Sequence, residues 1–237
     1  MAKLVVALDY PDGQPALAMA RALRGSGAWV KVGLELYTRE GPAIVRAMRE
    51  LGLPVMLDLK FHDIPNTVQG AVKAACALDV EILTVHLCGG ERMIRAAAEG
   101  AAEGAARYGT RRPMLFGITV LTSMAPGELP GYDGDLGSFA VDLAQKGAAW
   151  GLSGVVCSGH EIAAIKAACP GLLGLTPGIR PAGGQATDDQ RRTMTPRQAV
   201  MAGSDYLVVG RPVTKAADPA LAARAILAET AAAGERR

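Results

Sequence analysis

The chain has 237 residues, of which 50% are hydrophobic and 20% charged, and its formal net charge is +2. This length and composition suffice for one large core, and the small net charge argues against a polybasic protein that binds nucleic acid or a membrane surface. We expect neither a signal peptide nor a membrane span, and hence a cytoplasmic protein, because Met1-Ala2-Lys3 leads directly into a short apolar segment.

Eight short apolar runs predict eight β-strands. In chain order they are residues 4–8, 29–32, 54–59, 82–86, 114–121, 154–158, 172–176 and 206–209. Most of these runs are apolar throughout rather than alternating, which is typical of parallel strands that are covered on both faces.

Helical segments alternate with these strands. They are residues 14–24, 38–51, 65–78, 91–108, 136–150, 160–168, 196–202 and 219–233. Eight strand–helix pairs predict an α/β fold, a (β/α)8 TIM barrel that forms a single domain over residues 1–237. A doubly wound open sheet is the alternative, although the first strand lacks the Gly-rich turn of a dinucleotide site.

One segment, residues 181–190, interrupts this alternation. It is polar, rich in glycine and long for a connection between a strand and a helix. It follows the seventh predicted strand, and we interpret it as a lid loop that closes over a binding site.

Polar residues lie at or just after the C-terminal end of nearly every predicted strand. They are Asp9, Lys31, Asp58, Lys60, His86, Thr122, Ser123, Arg180 and Arg211. In a barrel, functional residues collect at the C-terminal ends of the strands. Each residue alone has a structural explanation, such as a turn or a helix cap, but together they predict a binding site.

The densest group of charges runs from Asp58 to Asp63, at the end of the third predicted strand. Asp58 and Lys60 are two residues apart, so they project to the same side of an extended chain. With Asp9 and Lys31 they predict an alternating chain of charges, in which each close pair contributes roughly 4 kcal/mol of Coulomb energy. A lysine flanked by carboxylates suits proton delivery, and an ion network that only fixes geometry is the alternative.

Glycine and arginine follow the seventh and eighth predicted strands, in Pro177-Gly178-Ile179-Arg180 and in Gly210-Arg211. In this fold the loops after these two strands often form a phosphate site. Glycines let backbone N–H groups approach an anion, and arginine binds phosphate through two parallel hydrogen bonds. The two segments therefore predict phosphate binding.

Taken together, seven segments resemble the bacterial type of the orotidine 5'-phosphate decarboxylase family. They are residues 7–9, 30–33, 58–67, 121–123, 177–180, 189–192 and 209–212. The wider superfamily shares Asp-x-Lys-x-x-Asp, but the Ile-Pro-Asn-Thr continuation and Gly-Ile-Arg-Pro are specific to the decarboxylase. One departure is a lid that is slightly long near Gln185.

The resemblance implies a decarboxylation that needs no cofactor and converts orotidine 5'-phosphate to uridine 5'-phosphate in pyrimidine synthesis. Lys60 would protonate C6 of the pyrimidine after CO2 leaves, and Asp58 would face the substrate carboxylate. Lys31 and Asp9 would hold ribose hydroxyls. The remaining substrate-binding residues that it implies are Thr122 and Ser123 at the pyrimidine, and Pro177, Arg180, Gln190, Gly210 and Arg211 towards the phosphate.

The resemblance also implies a homodimer with shared active sites. Asp63 would be a catalytic residue in the site of the neighbouring subunit, and Ile64 and Thr67 would reach into the same site. The nucleotide substrate and the second copy of the chain are the partners that it implies, with no nucleic acid and no membrane.

Two other functions stay open. A magnesium-dependent barrel that acts like an aldolase on a sugar phosphate shares Asp-x-Lys-x-x-Asp but uses its acids around a metal. His86 and Cys88 are conceivable further ligands, although two such groups on one strand end more often pack or hydrogen-bond. The other alternative is a barrel that binds a nucleotide without turning it over.

Overall fold

The computed structural model describes residues 1–181 and 193–234. Its centre is a closed barrel of parallel strands in which each strand pairs with the next along the chain and the last pairs with the first. The strands are β1 (Lys3–Ala7), β2 (Trp29–Gly33), β3 (Val55–Phe61), β4 (Ile82–His86), β5 (Met114–Ile118), β6 (Gly154–Val156), β7 (Leu173–Thr176) and β8 (Tyr206–Val209). The predicted (β/α)8 barrel is confirmed.

Helices surround the barrel. Those of the described residues are α1 (Gly13–Leu23), α2 (Leu34–Glu40), α3 (Pro42–Glu50), α4 (Pro65–Ala75), α5 (Gly90–Tyr108), α6 (Leu136–Ala149), α7 (Ile162–Ala168), α8 (Pro196–Ala202), α9 (Arg211–Thr214) and α10 (Pro219–Gly234). Short 3-10 turns follow α4 at Cys76–Leu78 and β4 at Leu87–Gly89. Within the described ranges, no helix is long and apolar enough to cross a membrane.

The prediction of one helix over residues 38–51 was wrong, because the segment forms two helices, α2 and α3. They meet at Gly41, whose φ of 63° lies in the left-handed region that glycine tolerates. Pro42 follows at the first position of α3, where its missing N–H costs nothing, whereas inside a continuous helix it would break a hydrogen bond.

Two strands end two or three residues earlier than predicted. The run 114–121 is extended only to Ile118, and the run 154–158 only to Val156. Just beyond the end of β5, the backbone N–H and the hydroxyl of Thr119 both donate to the carbonyl oxygen of Val156, at 3.2 and 3.0 Å. Residues 120–123 follow outside the sheet and line the barrel mouth.

Aromatic and aliphatic side chains fill the barrel interior. This inner cluster consists of Val5, Ala7, Trp29, Met56, Ile82, Phe116, Leu175, Tyr206 and Val208. The ring of Tyr206 meets those of Trp29 and Phe116 edge-on, each with a centroid distance of 5.5 Å. The Lys3 ammonium lies 4.4 Å from the centre of the Trp29 ring at the N-terminal end. A packed interior leaves the C-terminal mouth as the place for a site.

Candidate active site

A cavity of about 610 Å³ opens at the C-terminal ends of the strands. It gathers residues from both halves of the chain that the sequence had marked as candidates. The predicted site residues that line it are Asp9, Lys31, Asp58, Lys60, Thr122, Ser123, Pro177, Arg180, Gly210 and Arg211. Closure of the barrel places them around one space although up to about two hundred residues separate them in sequence.

Four of these side chains form the alternating chain of charges. Lys31 Nζ lies 2.9 Å from Asp9 Oδ1 and 3.6 Å from Asp58 Oδ2, and Lys60 Nζ lies 2.9 Å from the same Asp58 oxygen. The parallel register of β2 and β3 sets Gly33, the last residue of β2, beside Asp58, so that Lys31 and Asp58 lie near one another on adjacent strands. Asp63 is in none of the ion pairs found among residues 1–181 and 193–234, and its Oδ1 accepts the N–H of Ile64 at 2.6 Å.

The two central groups of this network, Asp58 and Lys31, are buried, so the attraction between their charges is weakly screened by water. The side chains of Asp58 and Lys31 are 10% and 12% exposed, whereas that of Asp9 is 64% exposed. Burial alone raises the pKa of Asp58, but the charges of Lys31 and Lys60 and hydrogen bonds from Lys60 and Thr84 lower it below its ordinary value. Burial likewise works against the charge of Lys31, but Asp58 and Asp9 outweigh it and raise the Lys31 pKa. Both central groups are therefore charged at neutral pH.

The backbone at Lys60 leaves regular strand geometry. Its φ is 51°, one of two positive values at non-glycine positions in the described part of the chain. The Lys60 N–H donates to Thr84 Oγ1 on β4 at 2.9 Å, and the same hydroxyl donates to Asp58 Oδ1 at 2.9 Å. Sequence reasoning missed Thr84, because a threonine inside an apolar run is what an ordinary strand also contains.

The cavity also includes residues to which the sequence analysis gave no individual catalytic or substrate-binding role. They are Ala7, Tyr10, Met56, Ile118, Val120, Leu121, Val156, Leu175, Gly178, Val208, Thr214 and Lys215. Most are apolar and form the wall beside the charges. Lys215 follows Arg211 by four residues at the end of α9, a helix of one turn that is too short for periodicity to reveal.

Backbone hydrogen bonds to Met194 fix the segment after β7 that contains Arg180. Arg180 N–H donates to Met194 O at 2.9 Å, and Met194 N–H donates to Gly178 O at 3.2 Å. Gly178 has a φ of 79°, so a side chain there would be strained. Gln190 and nearly all of the predicted lid, residues 181–190, lie outside the described residues, and only Pro181 is described.

Asp63, Ile64 and Thr67 lie outside the cavity of their own chain. They are exposed at the start of α4, and Ile64 retains 67% of its accessible surface. Apart from Met1, Ile64 is the most exposed large hydrophobic side chain of the described residues.

His86 is placed beside His62 rather than in a metal centre. The two rings lie 5.3 Å apart, and burial, together with electrostatic repulsion from His62 and Lys60, lowers the pKa of His86. Across the described ranges, no group of three or more histidine, cysteine, aspartate or glutamate residues is arranged to hold a metal ion. The Asp58 carboxylate is occupied by two lysines and a threonine.

Comparison with known proteins gives one consistent family. A model of the "Orotidine 5'-phosphate decarboxylase / HUMPS family" matches residues 2–226. A protein named orotidine 5'-phosphate decarboxylase from Nitratidesulfovibrio vulgaris (strain DP4) is 63% identical over 233 residues, which covers 98% of this chain and 99% of that protein. A relative of the same name from Lawsonia intracellularis (strain PHE/MN1-00) is 54% identical and covers 92% of this chain and 95% of its own.

Solved structures agree with the sequence comparison. The crystal structure of orotidine 5'-phosphate decarboxylase from Lactobacillus acidophilus superposes with a TM-score of 0.87 at 33% identity, covering 97% of this chain and 99% of that chain. The enzyme of the same name from Pyrococcus horikoshii OT3 has a TM-score of 0.75 at 25% identity and covers 96% and 99%. The resemblance inferred from the seven sequence segments is confirmed.

Proposed function

Because the chain belongs to the orotidine 5'-phosphate decarboxylase / HUMPS family, we propose that it removes CO2 from orotidine 5'-phosphate to give uridine 5'-phosphate, a step in the synthesis of pyrimidine nucleotides. The observation that carries the proposal is the alternating chain of charges in the barrel mouth, in which Lys60 Nζ lies 2.9 Å from Asp58. Relatives of this name match nearly the whole chain, which supports a carboxy-lyase activity for it.

Lys60 is the proton donor in this proposal. Loss of CO2 leaves an electron pair on C6 of the pyrimidine, with no carbonyl group placed to accept it. A nearby ammonium stabilises that developing charge and then protonates the carbon. The electron pair that the broken C6–carboxylate bond leaves on C6 becomes the new C6–H bond. Lys60 is suited to this because its side chain is 28% exposed and lines the cavity, while Asp58 holds its ammonium.

Asp58 faces the departing carboxylate. Its charge is maintained by Lys31 and Lys60, so a second carboxylate placed beside it would be repelled, and conversion of that group to neutral CO2 relieves the repulsion. Lys31 and Asp9 complete the charge chain, and the exposed Asp9 carboxylate remains accessible to the ribose hydroxyls.

The phosphate end supplies binding energy away from the reacting bond. Arg180, Gly210 and Arg211 lie together in the cavity wall, where an arginine fork and backbone N–H groups suit a phosphate. Thr122 and Ser123 lie on the wall formed after β5 and are assigned to the pyrimidine, with Pro177 beside the seventh strand. We assign Gln190 to the link between phosphate and base, and residues 181–190 to a lid whose closure excludes water.

The active unit in this proposal is a homodimer. Asp63, Ile64 and Thr67 are exposed and do not line the cavity of their own chain, which supports their placement in the site of a second copy. The reaction takes place in the cytoplasm, where its charged nucleotides are retained. It requires no cofactor, since Lys60 itself supplies the charge that an electron sink would otherwise provide.

An absorbance assay with orotidine 5'-phosphate tests the function directly. The purified chain is expected to bleach the orotate absorbance with formation of uridine 5'-phosphate, at the same rate with and without a strong chelator. Loss of activity with the chelator, restored by magnesium, would favour the metal-dependent sugar-phosphate barrel. Binding of uridine 5'-phosphate without any turnover would favour the non-catalytic barrel.

A further inference from the structure

We propose that Thr84 is a positioning residue of the reaction, whose single hydroxyl fixes the Asp58 carboxylate and the Lys60 backbone relative to one another. The inference rests on the proposed decarboxylation, in which these two residues are the catalytic pair. Thr84 itself is fully buried and is not among the residues that line the cavity, so it acts through its neighbours rather than on the substrate.

The Thr84 hydroxyl accepts one hydrogen bond and donates another. It accepts the backbone N–H of Lys60 at 2.9 Å and donates its own proton to Asp58 Oδ1 at 2.9 Å. The other oxygen of Asp58 faces Lys60 at 2.9 Å and Lys31 at 3.6 Å. Thr84 therefore holds one oxygen while the lysines hold the other, and the carboxylate plane is fixed from both sides.

The local strand geometry shows why Lys60 needs this bond. β3 and β4 pair at Leu57 with Leu83 and next at Phe61 with Val85. Three residues of β3, from Asp58 to Lys60, thus lie opposite Thr84 alone, so the regular backbone ladder is interrupted there. The Thr84 side chain supplies the acceptor that the ladder does not provide.

The interrupted segment also contains an unfavourable backbone conformation. The φ of Lys60 is 51°, in the left-handed region that side chains with a Cβ adopt rarely. Such a conformation persists at a functional site only where surrounding contacts determine it. The bond from Lys60 N–H to Thr84 is such a contact, and it sets the direction in which the Lys60 side chain leaves the strand.

Thr84→Val is the decisive substitution because it keeps the shape and removes the hydroxyl. We expect kcat to fall about 10- to 100-fold, the loss that follows when a hydrogen bond to a charged group is removed. KM should change little, because Thr84 does not line the cavity in which the substrate is proposed to bind. Thr84→Ser keeps the hydroxyl and should restore kcat to nearly the wild-type value.

The pH profile separates positioning from a merely structural role. The groups that face Asp58 are Lys31 from β2, Lys60 from β3 and His86 from β4. The Thr84 bond lowers the pKa of Asp58, so its loss should move the acidic limb of kcat/KM to higher pH. The same shift should be seen in a ¹³C titration of the Asp58 carboxyl without substrate, assigned with Asp58→Asn.

Thr230→Val is the matched control. Thr230 is also buried and its hydroxyl donates to Leu227 O at 2.8 Å, but it lies on α10, outside the cavity. It should leave kcat and the pH profile unchanged. Thr84→Ala, which removes the hydroxyl without adding an apolar group, is made in parallel so that the test does not depend on the folding of one variant.

The outcomes distinguish the two proposals. A wild-type chain that does not decarboxylate orotidine 5'-phosphate refutes the proposed function, while the ¹³C titration still tests the bond from Thr84 to Asp58. If the wild type is active and the folded Thr84→Val or Thr84→Ala variant keeps wild-type kcat and an unshifted Asp58 titration, Thr84 is not a positioning residue. A fall in kcat that Thr84→Ser does not restore would also overturn the inference.

Discussion

At the scale of single residues, two different side chains, those of Asp58 and Thr84, hydrogen-bond to Lys60. Its ammonium is bound by Asp58 and its backbone N–H by Thr84, and these two partners are themselves hydrogen-bonded. The result is a closed set of contacts among three residues that leaves the end of the lysine side chain at the cavity surface. Such an arrangement suits a proton donor, because the group is oriented before the substrate enters.

Lys60→Ala tests this role at the same scale. We expect kcat to fall by at least about 10²- to 10⁴-fold, the range that a positioned general acid contributes. The protein should still fold, since the Lys60 side chain is partly exposed. The change is measured by single-turnover absorbance kinetics, with circular dichroism as the check on folding.

Lys146→Ala is the control for loss of a lysine. Lys146 pairs with Asp142 on the surface of α6, with both side chains about half exposed, and such pairs contribute little to stability. It should retain wild-type turnover. Robust activity of Lys60→Ala under the same conditions would remove Lys60 from the mechanism.

At the element scale, α4 and α5 pack closely because glycines face the contact. Gly104 on α5 has no side chain where it meets α4, and an added Cβ would lie 2.7 Å from both the backbone oxygen of Lys73 and Cys76 Sγ. α4 starts directly after Asp63 and Ile64, so the seating of α4 on α5 also positions the residues assigned to the second subunit.

Gly104→Ala is therefore expected to destabilise the protein by about 1–3 kcal/mol, the usual cost of overpacking a contact that cannot relax. Gly70→Ala on the facing helix is the matched substitution, because a Cβ there meets nothing within 4 Å. It should stabilise by about 0.5–1 kcal/mol through helix propensity. Urea unfolding of both variants measures the difference, and equal effects would contradict the close packing described.

At the scale of the whole molecule, the barrel has one closed end and one open end. Trp29, Phe116 and Tyr206 pack across the interior, and the charged residues collect at the opposite mouth. Asp63 and the exposed Ile64 follow the C-terminal end of β3, and the proposed dimer places a second copy of the chain against them. In the proposed dimer, each site is completed by a residue that its own chain does not supply.

Mixing two inactive variants tests this sharing. Lys60→Ala and Asp63→Ala chains should each be inactive, but a hybrid dimer contains one site with both native residues. With random exchange in a two-fold dimer, about a quarter of all sites should become active. Activity is assayed after subunit exchange has been verified by mass spectrometry.

The control places both substitutions on one chain. Mixed with the wild type, this double variant forms hybrids in which neither site has both native residues, so activity should fall rather than appear. No recovery from the two single variants after verified exchange would count against shared sites.

The sequence was most informative where a residue type and its position along a strand agreed. Asp9, Lys31, Asp58 and Lys60 were predicted as neighbours because polar groups at the ends of parallel strands must converge, and they form one ion network. The break at Gly41 was missed because the helical pattern on both sides was given more weight than the helix-breaking pair Gly41-Pro42. The left-handed conformation of Lys60 was missed because the local pattern carries no signal for it. Roles that involve Gln190, or a second chain, stay predictions.

By itself, the sequence determined the eight-fold alternation, the barrel class and the family, because apolar periodicity and short motifs are properties of neighbouring residues. Only the tertiary structure decided that Thr84 binds both Asp58 and Lys60. These contacts join residues 26 and 24 positions apart, and they depend on how β3 and β4 are aligned. That alignment follows from closure of the whole barrel, in which a shift in register moves every side chain, so no single segment specifies it.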